Sequence, residues 1–217
     1  FQKVPVNSGL ILSPLLYISM LPFNESNSRD HACKMIRFLL ERGADPFLPC
    51  DANELVLHQI FASGGIIQPW LEMPNLDLTR RDPKGRTLLL AAASCATGTE
   101  SYACTVSAYP LRGGQLGPVS WKEGDPTRAM TLFERGADLS AIDYDNNNVL
   151  HYLADVDCSN DHFASIEVRR TLSLFVDKAP GLARQTNVHG QTPWSIAAEK
   201  NFVEFMEILH TDNMLTE

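Results

Sequence analysis

The 217-residue sequence lacks the minimal residue sets of several chemistries. It has no CxxC pair, no HExxH, no GxSxG and no carboxylate pair on a recognisable scaffold, so structural zinc, zinc peptidase and serine hydrolase readings have nothing to stand on. The glycine-rich stretch RGGQLGP at 112–118 is followed by neither a Lys-Ser/Thr pair nor a helix start, and it reads as a loop rather than a phosphate cradle. Positive charge is also short. With 18 Lys and Arg against 26 Asp and Glu the net charge is -8, which repels phosphate backbones and anionic lipid, so nucleic acid and membrane are poor partners and none is expected. The longest apolar run, at 9–23, is broken by Ser13, Pro14 and Pro22 and falls short of the roughly 20 residues a bilayer span needs. Lys3 precedes that run, but a signal peptide is disfavoured because the run fits the repeat register described below. The chain opens on Phe1 without Met, which is expected of a fragment or a processed chain.

What is present is that of an ordered domain: 44% hydrophobic and 20% charged residues, enough to build a packed core. Five cysteines, at 33, 50, 95, 104 and 158, are odd in number and without metal spacing. They read as free thiols in a reducing compartment, so an intracellular location, cytoplasmic or nuclear, is expected. Cys95 and Cys104 are near enough in sequence to bridge if the protein were oxidised.

Short segments recur. GAD stands at 43–45 and again at 136–138, VLH at 56–58 and 149–151, and a polar turn opens DPKGRT at 82–87, DYDNNN at 143–148 and NVHGQT at 187–192. After each turn comes an apolar run, LLLAAA, VLHYLA or PWSIAA. In this pattern the sequence resembles the ankyrin repeat, a unit of about 33 residues that reads D-x-x-G-x-T-P-L-H-x-A-A, a second helix, then L-L-x-x-G-A-D. The resemblance covers nearly the whole chain. It implies an all-α solenoid of stacked helix-turn-helix units with short β-hairpin-like finger turns, in one domain, 1–217, of units at about 8–50, 51–81, 82–142, 143–186 and 187–217. The unit at 8–50 keeps only Ser13, Pro14 and Leu15 of its first helix and reads as a degenerate capping repeat.

Each column has a physical reason. Thr87 and Thr192 stand where a hydroxyl caps a helix start, and Pro193 suits the first turn, where no N–H is needed. Ala92, Ala93, Ala197 and Ala198 let helices approach closely, while Ile60 and Phe61 in the same columns predict a wider stack there. Gly43 and Gly136 supply the positive φ that ends a helix, Asn146 replaces the turn Gly as a residue tolerant of that region, and Pro180 implies an altered stop. The second helices are expected at 32–42, 126–135, 169–176 and 202–209. In the second unit Pro69 and Pro74 leave room for about one turn.

Asp82 to Asp143 is 61 positions, about 28 beyond a usual unit, and Asp143 to Asn187 is 44, about 11 beyond. Insertions are therefore placed at about 96–124, 155–165 and, in the first unit, 21–30, all leaving the turn between the two helices, where length is tolerated.

Few residues invite chemistry. His58 and His151 occupy the column that, by the resemblance, ties adjacent hairpins through backbone hydrogen bonds. Asp155, Asp157, Asp161 and His162 crowd together but lack the Gly and distal Glu of a calcium loop, so they read as a solvated insertion. Asn24-Glu25-Ser26 is a glycosylation sequon that matters only outside the cell. Arg80, Arg81, Lys84 and Arg86 put four cations on one finger, beside the acidic and aromatic finger of Tyr144, Asp145 and Asn147.

The resemblance implies protein recognition rather than catalysis, with no cofactor and no metal, by a monomer that binds another protein through its concave finger and inner-helix surface. By column, the contact candidates are Asn53, Gln59, Ser63, Arg80, Arg81, Lys84, Arg86, Tyr144, Asp145, Asn147, Asp155, His189, Gln191 and Glu199. Two alternatives stand beside it: a ligand or peptide site in the 96–124 loop, and a scaffold or targeting role within a larger enzyme or regulatory protein.

Overall fold

The computed structural model describes residues 4–5, 11–19, 26–50, 54–62, 65–94, 128–155 and 162–214. The 96–124 loop, Cys95, Cys104 and Cys158, the sequon's Asn24 and Glu25, and Asp157 and Asp161 lie outside them.

The architecture is helical. Two two-residue strands, β1 (Val4–Pro5) and β2 (Ile11–Leu12), pair antiparallel with Val4 opposite Leu12. Ten α-helices follow among the described residues: α1 (Pro14–Ser19), α2 (Ser26–Glu41), α3 (Val56–Ala62), α4 (Gln68–Leu71), α5 (Leu88–Ala93), α6 (Arg128–Glu134), α7 (Val149–Ala154), α8 (His162–Lys178), α9 (Pro193–Glu199) and α10 (Val203–Met214). The short helices α1, α3, α5, α7 and α9 form a row in which each packs on the next. A second layer covers them: α2 packs on α1, α6 on α5, α8 on α7 and α10 on α9, with α10 also against α8.

Capping sets where the inner row begins. Thr87 and Thr192 sit in extended conformation before α5 and α9 and accept from the backbone amides of Leu90 and Ser195. Asn148 does the same before α7 for Leu150 and His151. At the far end of α2 and α6, Gly43 (φ 83°) and Gly136 (φ 90°) turn the chain. The following amides then fold back, Ala44 onto Leu39 and Ala137 onto Leu132, which closes the helix end. The core runs through both layers: all seven residues of α3 and all six of α5 are buried, and Leu57, Leu89 and Leu150, at one column of the row, are 0 to 1% exposed.

Several expectations change in extent. Helix α2 starts at Ser26 rather than 32, and α8 starts at His162 rather than 169. Residues 26–30 and 162–165 are therefore helical, so the extra length of the first and fourth units goes partly into longer helices and not only into a turn. Helix α4 is one turn, and Trp70 within it is fully buried with its indole N–H donating to the Ile66 carbonyl at 3.0 Å. Pro180 opens a 3-10 helix, Pro180–Arg184, directly after α8.

Candidate functional site

Three turns are built alike. In each, the first residue's side-chain oxygen accepts two backbone amides, two and four positions on: Asp82 from Lys84 and Arg86, Asp143 from Asp145 and Asn147, Asn187 from His189 and Gln191. In each, the first amide also donates to the fifth carbonyl, Asp82 to Arg86, Asp143 to Asn147 and Asn187 to Gln191. The fourth residue takes positive φ: Gly85 (80°), Asn146 (60°) and Gly190 (72°). These fingers are joined edge to edge, because Tyr144 donates its amide to the Lys84 carbonyl and Val188 donates to the Asp145 carbonyl.

This geometry sorts the finger positions. The second and third residues, Pro83 and Lys84, Tyr144 and Asp145, Val188 and His189, are all exposed. The fifth turns inward in every finger. Arg86 is 2% exposed and donates to Asp82 at 2.7 Å and to Glu54 at 3.3 Å. Asn147 donates to Asp143 and accepts from Asn187, and Gln191 accepts from Asn187 and donates to Glu199.

The contact set inferred from the sequence is accordingly corrected. Arg86 is not a surface cation: buried Asp82 and Glu54 bind it. Gln59 is also buried, at 5% exposure, because α3 lies between α1 and α5. Asn147 and Gln191 are half-buried braces between and within fingers. Lys84 remains at the surface but pairs with Glu54 at 2.9 Å. Asp155 pairs with Lys200 at 2.7 Å, tying the end of α7 to the end of α9. Asn53 and Ser63 lie outside the described residues. The exposed remainder is Arg80, Arg81, Tyr144, Asp145, His189 and Glu199. Val188, 54% exposed in the same row as Tyr144, was missed; its place directly after Asn187 was the available signal.

Tyr144 is the most exposed large apolar residue described, at 68%, yet it is held in place. Its ring lies over Gly85 of the neighbouring finger, where an added Cβ would meet Tyr144 Cδ1 at 2.6 Å. Arg81 donates from Nη1 to the carbonyls of Gly85 and Ile142, so its guanidinium bridges the same two fingers. Gly85→Ala is expected to cost about 1–2 kcal/mol from the left-handed backbone alone, plus displacement of the ring. In a urea double-mutant cycle, Tyr144→Ala should relieve the ring part and leave the backbone part. Additive losses would show that the ring does not rest there.

The two histidines are structural. His58 Nε2 lies 3.1 Å from the Arg80 carbonyl and His151 Nε2 lies 3.1 Å from the Gln191 carbonyl, each reaching the next finger. Burial pushes both pKa values below the ordinary histidine value, against the attraction of Asp82 and Asp143 respectively. Each therefore binds a proton less readily in the fold than in the unfolded chain, so the unfolded chain binds more protons as the pH drops toward the ordinary histidine range. Stability should fall as pH falls through about 6.5, the unfolded histidine value. Urea melts from pH 7.5 to 5.5 check this, and His58→Gln with His151→Gln should flatten the profile. An unchanged profile in that variant would refute the assignment.

Among the described residues no His, Cys, Asp and Glu grouping could hold a metal ion, and no helix is long and apolar enough to cross a membrane. Comparison with family models and with curated proteins finds no match for this sequence.

Proposed function

We propose that the chain is an ankyrin-type solenoid and acts as a non-catalytic protein-recognition module, using the edge formed by its fingers. The observation that carries this reading is the shared design of the three fingers. Identical backbone bonding fixes three turns side by side, while their second and third side chains point to solvent and differ in chemistry: Pro83 and Lys84, Tyr144 and Asp145, Val188 and His189. A rigid frame carrying varied exposed groups suits specific binding, since little side-chain or loop entropy is lost on contact. An exposed tyrosine held by its neighbour is the kind of anchor that dominates protein interfaces. The partner in this reading is another protein, met by a single copy of the chain inside the cell, with no cofactor involved.

The test is affinity capture with the intact chain beside a variant carrying Tyr144→Ser and Asp145→Lys. Both positions are exposed and only the contact of the Tyr144 ring with Gly85 is lost, so the variant should stay folded and melt within a few degrees of the parent. A partner recovered by the parent and lost by the variant supports the reading. Recovery of the same proteins by both would remove the finger edge from the site.

A further inference from the structure

The finger edge carries charges of two kinds, those neutralised within the chain and those left for solvent. Lys84 and Arg86 belong to the first kind, since Glu54 and Asp82 hold them. Arg81 belongs to the second: among the described residues it bonds to two backbone carbonyls and faces no carboxylate. Arg80 sits over the Phe47 ring at 5.8 Å and is attracted to the Asp77 carboxylate. The Asp145 carboxylate likewise has no side-chain partner among them. Between these charges stands the Tyr144 ring, and beyond Asp145 stands Val188, whose amide bonds to the Asp145 carbonyl. The order along the edge is positive, aromatic, negative, apolar.

Resting on the protein-recognition reading above, we propose that this edge takes an extended segment of a partner protein. The segment carries an acidic residue on Arg81, an apolar one over Tyr144 and a basic one on Asp145. Charge complementarity selects this occupant: an all-acidic segment meets Asp145, and an all-basic one meets Arg80 and Arg81. The guanidinium of Arg81 and the ring of Tyr144 both meet Gly85, so the acidic and apolar residues stand close together in the segment, and the basic residue lies on the far side of the apolar one. The split charge also sets the direction in which the segment lies.

The experiment is selection of a displayed random dodecapeptide library on the intact chain, followed by fluorescence anisotropy of the enriched peptides at low and high salt. The expected result is enrichment of acid, apolar and base in that order, with affinity falling as salt rises. Asp145→Lys, which removes no internal contact, should weaken such a peptide about tenfold. Replacing the peptide's basic residue by Glu should restore binding to that variant, and Arg81→Glu should respond to the opposite exchange. Enriched peptides without the pattern, peptides indifferent to Asp145→Lys and Arg81→Glu, or no enrichment at all would overturn the proposal. Those outcomes leave the capture test free to succeed, since a folded partner could still dock on the same edge. Failure of the wider reading is separate: no captured protein would depend on Tyr144 and Asp145.

Discussion

Arg86→Met should destabilise the protein by about 3–5 kcal/mol, the cost of leaving buried carboxylates without their cation. Asp82 and Glu54 are 3% and 5% exposed, and Arg86 is the buried cation between them; Lys84, whose side chain is 56% exposed, pairs with Glu54 from the surface. The loss reaches beyond one ion pair. The same Asp82 carboxylate that pairs with Arg86 through Oδ2 orders the finger through Oδ1, so a disturbed Asp82 loosens the turn that carries Lys84 and supports Tyr144. The last finger supplies the comparison. There Asn187 and Gln191 occupy the Asp82 and Arg86 positions and make the same turn without charge. Asp82→Asn combined with Arg86→Gln should therefore recover more than half of what Arg86→Met loses, and adding Glu54→Gln should recover most of the remainder. Urea denaturation at neutral pH measures each. Equal losses for the single and the triple variant would mean that volume, not charge, governs the site.

Asn148→Ala should cost about 3 kcal/mol, which for a chain of this size lowers Tm by about 6–12 °C. Asn148 is fully buried and uses both ends of its amide. Its Oδ1 accepts from Leu150 at 2.9 Å and His151 at 3.2 Å, capping α7, while Nδ2 donates to the Leu182 carbonyl at 2.9 Å and to Gln185 Oε1 at 3.0 Å. One side chain thus starts an inner helix and anchors the 3-10 segment that follows α8. Two variants separate these roles. Asn148→Ser keeps a cap and should recover about 1 kcal/mol. Asn148→Asp keeps the cap but turns a carboxylate toward the Leu182 carbonyl, so it should be no better than Ser despite its size. Thermal melts of the three rank the contributions, and an Asp variant as stable as the parent would deny the Leu182 bond any role.

What the sequence revealed was whatever is local. The three turns were legible because a side-chain oxygen, four positions of turn and a residue tolerant of positive φ lie within five residues. Thr87, Thr192, Gly43, Gly136 and Asn146 all act as their types and places implied. The one-turn α4 was legible from its two prolines. What stayed hidden depends on partners far along the chain. Arg86 read as a fourth surface cation because its second acid, Glu54, is 32 positions away, and Gln59 read as a contact because nothing nearby reveals that α1 and α5 enclose its helix. The tie from Asn148 to the 3-10 segment was hidden for the same reason: its partners Leu182 and Gln185 stand 34 and 37 positions on. Helix lengths were misjudged at α2 and α8 because the repeat alignment places insertions without saying what they fold into.

The account comes down to whether the finger row is the contact surface, and site-specific photo-crosslinking tests that most directly. A benzophenone amino acid placed singly at Tyr144, at Val188 and, as a control on the outer layer, at Asp177 of α8 reports which surface meets a partner; all three positions are exposed. The account predicts adducts to one and the same protein from positions 144 and 188 and none from 177. Adducts from 177 alone, or none from either finger, would contradict it.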